Sequence, residues 1–221
     1  MTRVEPADRE LPNRKLRRDG EATRQRVLEA VVACILEQGY YQASSNEIAR
    51  RAGVTWGAIQ HLFGSREALM IAVLEDGWRR LHERVATEKI AGGSLEARLR
   101  AVLDVLGSYY ESPEHLAQIQ IILDFTANPD TSAETRRAIE RHGRELTKAW
   151  EPLFAQAVGD AAADHDLVVY AFTTLRGYLT ARLIAASIAD IPDDAVQRRL
   201  LINGVAAALR SEARRRGVPL R

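Results

Sequence analysis

Between Ser44 and Phe63 the chain must form two helical segments with almost no space to turn between them. Ser44-Ser45-Asn46-Glu47 has the pattern of a capping box: the Ser44 hydroxyl accepts from the Glu47 N–H while the Glu47 carboxylate reaches back. The helix this starts carries Ile48, Ala49 and Ala52 inward and ends at Gly53. Three residues, Gly53-Val54-Thr55, make the turn, and Thr55 then caps a second short helix. Its Ile59, Leu62 and Phe63 recur at i, i+3 and i+4, so the spacing predicts that they face a small core. At about 100° per residue, Gly57, Ala58, Gln60 and His61 then point outward, with Trp56 on the flank. Two short helices around a tight glycine turn constitute a helix-turn-helix.

The flanking sequence is helical on both sides. Val27, Leu28, Val31, Val32, Ile35 and Leu36 form one apolar stripe, which predicts a first helix over 21–38 with Gly39 at its end. After Gly64, Ser65 caps a long fourth helix reaching about Ile90, with Glu67 in its first turn. Further helices are expected over 94–111, 113–126, 132–157, 163–189 and 193–216, divided by Pro129, Gly159 and Pro192. No strand pattern is present, and Ala, Leu, Arg and Glu dominate. The fold class is therefore all-α. An N-terminal three-helix helix-turn-helix domain is expected over 20–66, and a larger C-terminal helical bundle over 67–221. Residues 1–19 lack apolar periodicity and contain Pro6 and Pro12, so they are read as a disordered arm, made basic by Arg14, Lys15, Arg17 and Arg18.

Charge adds little. The net charge is +1, although up to Arg66 there are eleven Lys/Arg against eight Asp/Glu. No apolar stretch reaches about 18 residues, and no basic start leads into an apolar run, so no membrane partner is expected and the reading places the protein in the cytoplasm. Cys34, the single cysteine, lies in an apolar helical run and reads as a small buried hydrophobe. His82, His115, His142 and His165 are scattered and show no metal-ligand spacing. No nucleophile-base pair, phosphate loop or paired carboxylates stand out, so neither catalysis nor a cofactor is expected.

A helix-turn-helix can lay its second helix in the DNA major groove, with its N-terminal side chains on base edges. The Gln60 amide suits the N6/N7 edge of adenine, and Ala58 suits a thymine methyl. Gly57 permits close approach. The shape alone leaves another possibility equally open, a helical hairpin with a solvated polar side. Residues 24–69, RQRVLEAVVACILEQGYYQASSNEIARRAGVTWGAIQHLFGSREAL, resemble the DNA-binding region of the TetR family of transcriptional regulators. The likeness runs through Glu37-Gln38-Gly39-Tyr40, Glu47-Ile48-Ala49-Arg50-Arg51-Ala52-Gly53-Val54, Gly57, Phe63 and Ser65-Arg66-Glu67-Ala68-Leu69. It implies double-stranded operator DNA as a partner, with base contacts from Asn46, Trp56, Gly57, Ala58 and Gln60. Phosphate contacts are implied for Ser44, Ser45, His61, Arg66 and Thr23, with Thr55 at the cap. Gln60 stands where the family usually has an aromatic, Leu62 where it has His or Tyr, and Trp56 where a small polar or basic residue is common.

The resemblance also implies a homodimer whose last two helices pair with the partner's, a palindromic operator, and release by a small-molecule effector. Candidate pocket walls are Tyr109, Tyr110, Ile121, Phe125, Trp150, Phe154, Phe172 and Arg176. Arg176 lies between Phe172, Leu175 and Leu179, so its charge needs a carboxylate, from Asp124, a partner chain or an acidic effector. The alternative is a helical carrier of small molecules or lipids that has lost specific DNA binding.

Overall fold

The computed structural model describes residues 12–186, 188 and 194–220. The described residues form nine α-helices: α1 (Pro12–Gln38), α2 (Ser45–Ala52), α3 (Trp56–Phe63), α4 (Arg66–Thr87), α5 (Leu95–Tyr110), α6 (Pro113–Ala127), α7 (Ala133–Val158), α8 (His165–Ala186) and α9 (Ala195–Arg216). A short 3₁₀ segment, Gly159–Ala163, lies between α7 and α8. No strand occurs among the described residues, and the all-α expectation holds.

Two compact units divide within α4, after Ala72. The boundary falls later than position 66 because Leu69 and Met70, in the first turns of α4, are fully buried. In the first unit the interior is built by Val27, Val31 and Ile35 of α1, Ile48 of α2 and Ile59 of α3. Cys34 is buried among them, and burial pushes its thiol pKa upward. In the second unit, α5 packs on α7, α8 and α9 around Trp150, Tyr110, Phe154 and Phe172.

Three expectations change. Residues 12–19, expected to be disordered, are helical and carry α1 back to Pro12. Proline at a first helical position costs nothing in hydrogen bonds, and the helix formers after it extend a helix without an apolar stripe. The rest of the arm, 1–11, lies outside the described residues. The fourth helix ends at Thr87 instead of Ile90, whose N–H donates to Gln156 Oε1 at 2.9 Å. Leu62, expected in the core, is 38% exposed, and Phe63 is only half-buried. A helix of eight residues with one fully buried side chain has a core stripe a single residue wide, centred on Ile59.

Candidate functional site

The turn between α2 and α3 rests on two caps and a glycine. Ser44 Oγ accepts from the Glu47 N–H at 3.3 Å, and Thr55 Oγ1 from the Ala58 N–H at 3.2 Å. Gly53 has φ +68°, the left-handed conformation that terminates α2 and that a Cβ would strain. The reciprocal half of the expected capping box is replaced. The Glu47 carboxylate turns to Arg50 at 2.7 Å and Arg51 at 2.6 Å, charged donors that outcompete a neutral backbone N–H. Those guanidiniums lower its pKa to about 2, and Arg51 also reaches Glu37 at 2.7 Å.

On α3, Gly57, Gln60 and His61 are exposed, Trp56 and Ala58 are half-buried, and Thr55 is exposed at the cap. On α2, Asn46 and Ser44 are exposed and Ser45 is half-buried. These residues, which fall on the start of α3 and the start of α2, are the expected base and phosphate contacts. Leu62 is exposed on α3 as well, which adds an apolar side chain to its open surface. Phe63 lies under the Arg24 guanidinium, 5.3 Å from its ring centre, a contact with no signature in the sequence. Thr23 is half-buried on α1; its hydroxyl donates to the Asp19 carbonyl at 2.8 Å and accepts from Arg26 Nη2 at 3.2 Å.

Arg66 is the exception among the expected phosphate contacts. Its Nη1 donates to the Ala43 carbonyl at 2.8 Å and its Nη2 to the Tyr40 carbonyl at 3.4 Å, and the guanidinium lies 5.5 Å from the Tyr40 ring centre. It ties the start of α4 to the segment between α1 and α2.

In the second unit, the expected pocket walls divide into two sets. Tyr110, Trp150, Phe154 and Phe172 belong to the central cluster, with Tyr109 packed against it. Ile121 and Phe125 are buried on α6 but outside that cluster. The Tyr110 ring lies 5.9 Å from Trp150, which lies 6.0 Å from Phe172, which the Arg176 guanidinium covers at 5.0 Å. Of the carboxylate sources considered for Arg176, Asp124 is not paired with it, and Arg176 makes no ion pair among the described residues.

Sequence reasoning missed Gln118 and His115. Gln118 Oε1 accepts from the Tyr109 hydroxyl at 2.6 Å and faces His115 Nδ1 at 3.4 Å. Gly77 of α4 lets this amide approach: a Cβ there would fall 1.8 Å from Gln118 Nε2. A glycine in mid-helix was the available signal. Burial lowers the His115 pKa to about 4, so the ring is neutral at pH 7.

The sequence model of the bacterial regulatory proteins, tetR family, matches residues 27–73, which contain the whole of α2 and α3. The HTH-type transcriptional regulator BetI of Cronobacter sakazakii is 35% identical over 107 residues, covering 48% of this chain and 52% of that protein. The chain thus spans about half the length of this curated relative. Among solved structures, a TetR transcription regulator from Haloarcula marismortui superposes with a TM-score of 0.62 at 16% identity, covering 85% of this chain and 98% of the other. FadR from Bacillus subtilis, in complex with stearoyl-CoA, gives a TM-score of 0.58 at 18% identity over 84% of this chain and 96% of the other. These likenesses extend the shared fold through the helical bundle. Over residues 27–73, the chain is therefore similar to the tetR family of bacterial regulatory proteins.

Proposed function

We propose that the chain is a TetR-like repressor that binds a palindromic operator as a homodimer and leaves it when a small-molecule effector occupies the helical bundle. The observation that carries this is the α2-turn-α3 unit, capped and closed on its inner side by Ile59, with Gly57, Gln60 and His61 left open on the outer side. A second helix with that free face and a glycine at its start is suited to a major groove. Asn46, Trp56, Ala58 and Gln60 would meet base edges; Ser44, Ser45, His61 and Thr23 would meet phosphates.

Self-association is supported by a stripe on the last two helices. Tyr170 and Ile184 of α8 and Val196 and Leu200 of α9 are between 44% and 62% exposed. Gly177 and Gly204 lie on the same helices with open space where a Cβ would stand. Large apolar residues beside bare backbone favour close approach of a second copy. The domain roles follow, with the boundary moved from position 66 to Ala72: DNA binding in the first unit and effector binding with dimerisation in the second.

Fluorescence anisotropy on duplexes varied at single positions tests the contact roles. Gln60→Ala should relax preference at one base pair per half-site, at a cost of about 1–3 kcal/mol for the preferred base. Affinity should fall steeply with salt, as expected of a protein that neutralises phosphates. An equal loss on every sequence would remove Gln60 from the reading set.

A further inference from the structure

The centre of the second unit holds buried polar groups whose hydrogen-bonding capacity is not met. The Tyr110 hydroxyl and the Trp150 Nε1–H are buried, and neither has a hydrogen-bond partner. Their residues are 1% and 0% exposed. An indole N–H can only donate, and a guanidinium carries five donors and no acceptor. Burial pushes the Tyr110 hydroxyl pKa up to about 12, and Arg176 and Trp150, which lie near it without reaching hydrogen-bond geometry, offset only part of that rise. Gln118 Oε1, an acceptor in the same unit, is engaged by Tyr109 at 2.6 Å. Two buried donors and one half-buried cation therefore lie near one another, and no anion among the described residues pairs with them. Native interiors rarely leave such groups without a reason.

We propose that Arg176, the Tyr110 hydroxyl and the Trp150 N–H receive the carboxylate of an acidic small molecule, and that Phe172, Tyr109 and His115 hold its apolar body. The proposal deepens the effector site put forward above and rests on it. A carboxylate supplies the missing acceptors, and the planar guanidinium matches it in two parallel bonds. Aromatic faces alone would equally suit a quaternary ammonium. The Arg176 guanidinium, already covering the Phe172 face, repels such a cation. His115 is neutral near pH 7 and packs against Tyr109 and Tyr110 with ring centres 5.0 and 4.8 Å away, so it contributes surface and not charge. Gln118 gives the site a consequence: it links Tyr109 to the bare Gly77 of α4, so a ligand that moves Tyr109 also moves the amide seated on that helix.

Thermal unfolding and calorimetric titration of the full chain test this, with benzoate and hexanoate as acids, their amides as neutral partners and benzyltrimethylammonium as the cation. At least one acid should raise Tm and bind saturably, while its amide at equal concentration does not. Arg176→Gln should weaken that acid about tenfold or more. Tyr110→Phe should weaken it several-fold while raising the Tm of the ligand-free chain by about 2–4 °C, because it deletes a buried hydroxyl that no protein group satisfies. If Arg176→Gln does not fold, the Tyr110→Phe pair of results decides. Binding that ignores the carboxylate, a preference for the cation, no binding by either acid, or unchanged affinity in the foldable variants overturns the proposal. Enrichment of random duplexes on the same preparation separates two failures. A recovered palindrome without acid selectivity removes only the acidic-ligand proposal. Acid selectivity without any palindrome removes only the regulator function.

Discussion

Arg66 shows how a single side chain can be claimed by its own fold. Two donations to the Ala43 and Tyr40 carbonyls and a contact with the Tyr40 ring occupy the guanidinium for which the family resemblance implies a phosphate contact. Lysine keeps the charge but cannot reproduce that two-pronged geometry. Arg66→Lys should therefore destabilise the first unit by about 1–3 kcal/mol. Urea unfolding measures the loss; an unchanged midpoint would return Arg66 to a purely external role. At this scale the sequence was legible where local rules decide, as at the Ser44 and Thr55 caps. It was illegible where partners are distant in the chain, as for Arg66 with Tyr40, Arg24 with Phe63, and Gln118 with Gly77.

The helices themselves were largely readable because apolar spacing, capping residues and glycine stops agree along most of the chain. Their ends were less so. α1 begins at Pro12 since helix propensity alone suffices there, and α4 stops at Thr87 since the Ile90 N–H finds a side-chain acceptor in α7. Burial on α3 was overestimated because spacing nominates three inward residues, whereas Ile59 alone is fully buried and Leu62 is open. With so little burial, α3 depends on its first turn. Thr55→Ala removes the acceptor for the Ala58 N–H and should cost about 1 kcal/mol. Hydrogen exchange at the amides of 56–60 should accelerate more than at those of α7. Uniform acceleration across both units would contradict this local account.

At the level of the whole molecule, the two units should respond differently to acid. In the second, burial lowers the His115 pKa from its ordinary 6.5 to about 4, and burial lowers that of His142 too. Between those values the unfolded chain binds the proton and the folded chain does not, so stability is complete above pH 6.5 and declines as pH falls towards 4. His115 alone accounts for up to about 3 kcal/mol of that decline. His115→Gln should flatten the fall in Tm between pH 7.5 and 5; an identical slope in variant and wild type would refute the assignment. The interior donor cluster was the part of this unit least legible in sequence, because aromatic residues at helical spacing look the same in a sealed core and in a binding site. The unsatisfied Tyr110 and Trp150 groups near Arg176 are the observations on which the acidic-ligand proposal rests. The central claim, that the open face of α3 reads DNA in a paired molecule, is tested most directly by selecting bound duplexes from a random pool at low salt. An inverted repeat, with half-sites one helical turn or a multiple of it apart, is the expected product. Enrichment of no repeat, or binding that does not distinguish the selected sequence from its scrambled form, would contradict it.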